Sequence, residues 1–196
     1  MTTSSWTLQK VVATVAALNL AYFGIEFAVA LAIGSVALFA DSVDFLEDAA
    51  VNILILIGLG WSLRARAKLG MVLAVIILVP AIATVWTAWN NFAGGHVPEA
   101  VPLTLAGIGA LAVNLTCALM LARFREYGGS LTRAAFLSAR NDVLANVAIV
   151  AAGLVTAHTL SPWPDLIVGL GIAAMNIDAA REVFEAAQAE HREVQP

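Results

Sequence analysis

Within one apolar stretch, Asp41, Asp44, Asp48 and Asn52 stand at i, i+3, i+7 and i+11. On a helix this spacing puts all four on one face, with Glu47 off it. A carboxylate at mid-bilayer costs about 3 kcal/mol or more unless it is protonated, paired or metal-bound. Three of them on one face also repel one another. A divalent cation removes that repulsion and protons do so one group at a time, so such a site exchanges protons for metal. Two other chemistries fit the same residue types. One is an intramembrane aspartyl hydrolase working through a carboxylate pair, against which Asp44 and Asp48 share one helix and no Gly-x-Gly-Asp stretch accompanies Asp142. The other is a non-transporting helical partner subunit, whose polar groups only join helices.

A second polar set follows about a hundred residues later. Ser138, Asp142 and Asn146 are spaced i, i+4 and i+8, and Asp48-x-x-x-Asn52 is matched by Asp142-x-x-x-Asn146. Upstream, Asn19-Leu20 and Asn114-Leu115 precede the two aspartates at nearly equal distances. The correspondence predicts an inverted repeat of three plus three helices, with a site near the midplane between the halves. Asn52 and Asn146, one turn beyond the aspartates, either orient them or join helices. Tyr22 and Glu26, at i and i+4, put another acid on a face of the first apolar stretch, where it lines a proton or metal path or pairs locally. Arg140 either snorkels to the interface or pairs with Glu47 or Asp142. His158 reads as interfacial or as a group that meets an emerging ion.

The elements that must hold these residues are membrane helices. The 196 residues are 61% hydrophobic and 12% charged, with a mean hydropathy of +0.87, which excludes an ordinary soluble domain. Spans are expected at about 8–33, 35–62, 69–91, 100–122, 134–158 and 162–182, each near the roughly 20 apolar residues that cross a bilayer. A short tail covers 188–196. Lys10, Arg64, Arg66, Lys68, Arg123, Arg125, Arg133, Arg181 and Arg192 then fall on one side, and the opposite connections carry no Lys or Arg. By the positive-inside rule both termini are cytoplasmic, in a plasma membrane. The lone Cys117 excludes a disulfide within the chain. Nothing calls for an organic cofactor, and the composition does not point to nucleic acid.

Depth brings the two polar sets together. At about 1.5 Å per residue, Asp44 lies roughly 14 Å below the outer end of its span and Asp48 roughly 20 Å below it. Asp142 lies roughly 14 Å above the inner end of its own span, so in a core about 30 Å thick the levels coincide.

At these residues the chain resembles the cation diffusion facilitator family. Gly34 to Asp48, reading GSVALFADSVDFLED, is similar to that family's second helix with its (His/Asp)-x-x-x-Asp pair, and Pro162 to Asp165 resembles the opening of its last span. The resemblance implies a bacterial inner-membrane exporter of divalent cations, of zinc or a related ion such as cadmium, cobalt, iron or manganese, working as a proton antiporter and a homodimer. Carried over position by position, it implies a transport site of Asp44, Asp48, Asp142 and Ser138. Ser138 departs from the pattern, because the family carries a His or Asp there, and an oxygen-only set leans toward harder ions than imidazole does. Asp41, Asn52, Asn146 and Glu26 are then flanking or pathway residues. Members often continue into a cytoplasmic ferredoxin-like domain, which this chain, ending about fourteen residues after Arg181, is expected to lack.

Overall fold

A computed structural model describes residues 2–58, 63–124 and 129–193. Its six helices are α1 Thr2–Ile33, α2 Val36–Gly58, α3 Leu63–Gly94, α4 Ala100–Ala122, α5 Gly129–Thr159 and α6 Trp163–Glu193. The described residues contain no strand. The protein is a polytopic helical membrane protein.

The expected spans mark the apolar middles of these helices. α4 runs between the expected ends, whereas α3, α5 and α6 extend past them: α3 through Arg64, Arg66 and Lys68, and α6 through the Glu- and Ala-rich 183–193. Hydropathy reports where lipid ends, but the backbone ladder continues through good helix formers into water. Most of the stretch read as a tail is therefore helical, and the inner end of the second span, 59–62, lies outside the described residues.

Among the described residues, three helices are long and apolar enough by themselves to cross a membrane: Leu8–Ile33, Ala100–Ala122 and Ser138–Thr159. α2 is not one of them because it carries four acids, Asp41, Asp44, Glu47 and Asp48, within one span's length. It is instead the axial helix, in contact with all five others. Every residue from Val36 to Val43 is buried, so the N-terminal third of the helix, Asp41 included, is walled by protein. Around it, α1 packs chiefly on α2, α4 on α5 and α3 on α6, the pairing that two corresponding three-helix halves would give. Apolar side chains such as Val72, Val79, Ile82, Trp86, Val101, Leu105 and Leu119 face outward, as a lipid-solvated surface requires.

The N-terminal end of α2 is anchored by its neighbours. Gly34 turns the chain between α1 and α2 with φ +64°, a left-handed value that suits glycine. Asn91 Nδ2 donates to Gly34 O at 2.6 Å, and His96 Nε2 lies 2.8 Å from Ile33 O, so the end of α3 straps this turn. Ser35 caps α2 from its own sequence, its Oγ accepting the Leu38 backbone N–H at 3.1 Å, and Asp165, in the first turn of α6, completes the cap. Its carboxylate accepts the Ser35 hydroxyl at 2.6 Å and the backbone N–H groups of Val36 at 2.8 Å and Ala37 at 3.2 Å. α6 can come this near because residue 169 is glycine; a Cβ there would lie 2.7 Å from Ala37 N and from Val36 C.

Candidate metal centre

Little more than one turn of α2 carries its share of the site. Asp44, Glu47 and Asp48 from α2, Ser138, Asn141 and Asp142 from α5, and Met175 and Asn176 from α6 line one cavity of about 140 Å³. At about 30 Å³ per water, that is room for an ion with a few waters. All four residues taken as ligands from the sequence reach this one space.

Within it, Asp48 is the organised group. Ser138 Oγ donates to its Oδ1 at 2.9 Å, and Asn19 Nδ2 from α1 reaches its Oδ2 at 3.4 Å. Cys117 Sγ, from α4, backs Asn19 with a contact of 3.6 Å to Oδ1. Asp142 stands close enough to Asp48 for the two carboxyls to share a proton. Asp44 faces the same space one turn toward the N-terminal end of α2. The carboxylates share the cavity without closing into a ligand cluster: among the described residues, no group of three Asp, Glu, His or Cys side chains could hold a metal ion as placed. Ser138 has spent its hydroxyl proton on Asp48, which leaves its lone pairs available to a cation.

The flanking residues divide. Asn52 Nδ2 donates to Asp48 O at 2.7 Å on its own helix and does not touch the carboxylate. Asn146, fully buried, donates from Nδ2 to Asp41 Oδ2 at 2.6 Å and accepts on Oδ1 from Asn114 Nδ2 at 3.0 Å. The two half-chain motifs are thus used differently, since Asn19 reaches Asp48 whereas its counterpart Asn114 reaches Asn146 and not Asp142. Asp41 leaves the cavity and turns toward Glu26 of α1. Both Glu26 oxygens and Asp41 Oδ1 are buried with no hydrogen-bond partner.

One expectation changes. Glu47, read as off the polar face, lines the cavity, because it follows Asp44 by three residues and so shares its flank of the helix. Arg140 is exposed and reaches Asn141 Oδ1 at 3.3 Å, beside its own position in the chain. His158 is exposed at the C-terminal end of α5. Asn176, Met175 and Asn141 escaped the reading of the sequence. Asn176 had a signal, as an amide within an apolar run and eleven residues after Asp165 on the same face; its Nδ2 donates to Ala40 O at 3.1 Å and ties α6 to α2.

A family model of the cation efflux transmembrane domain matches residues 12–188, nearly the whole bundle. The chain belongs to the cation diffusion facilitator family. Among curated proteins, the zinc transporter ZitB of Yersinia pseudotuberculosis serotype I (strain IP32953) is 28% identical over 138 residues, 64% of this chain and 44% of that protein. The chain spans less than half the length of this relative. In this bundle the acids of α2 and α5 line one cavity.

Proposed function

We propose that this protein exports divalent metal cations in exchange for protons, with Asp44, Asp48, Asp142 and Ser138 as the transport site. One observation carries the reading: three carboxylates and a hydroxyl from two helices face a single small cavity in a membrane bundle of the cation efflux family. The ion is the substrate. Asp44 and Asp142 would swing toward the Asp48 carboxylate, already held by Ser138 and Asn19, and water would complete the shell. Protons returning to the aspartates would release the ion. Asp41, Asn52, Asn146 and Glu26 flank the path and do not ligate.

Zinc is the first substrate to test, since the similar protein from Yersinia is named a zinc transporter. The oxygen-only donor set makes manganese the second. In this reading all six helices cross a bacterial inner membrane with both ends cytoplasmic, and the protein acts as a homodimer without a resident cofactor. Transport is favoured over hydrolysis because Asp44 and Asp48 share one helix and the cavity has room for an ion with a few waters, not for a peptide strand. The test is thermal stability of the purified protein against a series of divalent ions. Stabilisation by Zn²⁺ or Mn²⁺ that disappears in Asp48→Ala is expected, and no response to any divalent ion would remove the proposal.

A further inference from the structure

Toward the α1–α2 turn from the metal cavity lies a second pair of acids with a different character. Glu26 is seven residues before the end of α1 and Asp41 five residues after the start of α2, so the two stand at one level, roughly 10 Å nearer the turn than Asp48. Both are fully buried. Their carboxyls come within hydrogen-bond reach of each other. Neither Glu26 oxygen accepts a bond from any donor, and Asp41 Oδ1 accepts none either.

Two ionised carboxylates in that setting would be desolvated, unpaired and mutually repelling. A cation does not suit the gap. The group that approaches Asp41 is the Asn146 amide N–H at 2.6 Å, whose hydrogens point at the acid, and the Tyr22 hydroxyl nearby donates its proton to Ala106 O at 2.6 Å. The remaining titratable groups that act on the pair are Asp44 and Asp48 of α2 and Asp142 of α5, all acids. α4 faces Asn146 with the neutral Asn114, whose own Oδ1 is buried and unpartnered.

We infer that Glu26 and Asp41 form a proton-binding site separate from the metal cavity, in which one O–H from Glu26 is donated to Asp41 Oδ1. One shared proton satisfies Asp41 Oδ1 and one of the two Glu26 oxygens, and leaves the pair with a single negative charge. The only bond made or broken is O–H, and the proton comes from water and returns to it. The site is joined to the metal centre twice: Asp41 is one turn from Asp44, and Asn146 is one turn from Asp142 on α5. A dication between α2 and α5 stabilises the doubly ionised pair, so metal entry expels this proton, and proton binding disfavours metal by the same factor. As a role in antiport the inference rests on the exporter reading; as a protonation state it does not.

The test uses the full chain and two readouts. In the metal-free protein at neutral pH, the infrared difference between wild type and Glu26→Gln is expected to show the loss of a carboxylic-acid C=O band; loss of carboxylate bands instead would overturn the inference. On titration with Zn²⁺ in weak buffer, Glu26→Gln is expected to release about one proton fewer per zinc bound than wild type and to bind zinc about tenfold more weakly near neutral pH, a difference that closes as the pH is lowered. An equal proton count would overturn the coupling, and a loss of zinc binding by about a hundredfold that persists at low pH would make Glu26 a metal ligand and overturn the separate site. If Glu26→Gln does not fold, Asp41→Asn serves: it removes the ionised partner, so a carboxylate band is expected to disappear while the carboxylic-acid C=O band of Glu26 persists at a shifted frequency, and disappearance of the acid band would overturn the placing of the proton on Glu26. If wild type binds no divalent ion, the exporter reading fails, and the infrared difference still decides whether the pair holds a proton.

Discussion

Asp165 and Asp48 are both aspartates buried among apolar helices, and the structure treats them oppositely. Asp165 accepts three hydrogen bonds at the N-terminal end of α2, two of them from backbone N–H groups that have no other partner. Asp48 shares its surroundings with Asp44, Asp142 and Glu47, accepts one good bond from Ser138 and a long one from Asn19, and opens on a cavity. A carboxylate surrounded by donors is finished as a structural part. One surrounded by other carboxylates requires a mobile positive charge, and the proposed transport rests on that requirement. The difference separates an anchor, which keeps α2 and α6 together, from a site that must change state.

The sharpest way to break the comparison is to exchange the penalties. Asp165→Ala strips the cap from Ser35, Val36 and Ala37, leaving buried donors unpaired at about 1–3 kcal/mol each. The bundle should lose about 3 kcal/mol or more of stability, read as a large fall in melting temperature in detergent, while zinc affinity of the folded fraction stays within about threefold. Asp48→Asn should do the reverse. Metal affinity should fall about a hundredfold, about 2.7 kcal/mol, with melting temperature unchanged or raised because a buried charge has gone. If Asp48→Asn were the more destabilising change, the two roles would be misassigned.

Smaller effects sharpen the picture. Gly169→Ala drives a methyl to 2.7 Å from the α2 backbone, where no flexible side chain can yield, and should cost about 1–3 kcal/mol without altering ion preference. Ser138→Ala removes one donor to Asp48 and one oxygen from the cavity, and should weaken metal binding about tenfold, measurable by calorimetry. Ser138→His should restore affinity and shift preference from manganese toward zinc, since imidazole suits the softer ion.

The chemistry of the centre was largely legible in the sequence because membrane helices have few polar residues to place. Helical spacing puts Asp44 and Asp48 on one face, and helix rise brings Asp142 and Ser138 to their level. What spacing cannot give is which neighbour a side chain chooses. Asp41 shares the face of Asp44, yet it turns to Glu26 and Asn146, because the packing of α1 and α5 decides where its carboxyl goes. Glu47 reaches the cavity from the flank for the same reason. The anchor was nearly invisible: Asp165, Asn91 and His96 are far from Gly34 and Ser35 in the chain, and only the folded contacts between α6, α3 and α2 make them caps.

The central claim is that these carboxylates carry a divalent ion across the membrane against protons. It is tested most directly by Zn²⁺ uptake into vesicles reconstituted with the full chain, with the interior acidic relative to the outside. The account predicts uptake that depends on the pH gradient, alkalinises the interior and is lost in Asp48→Asn. Uptake that ignores the gradient, or no flux of any ion in a divalent panel, would contradict it.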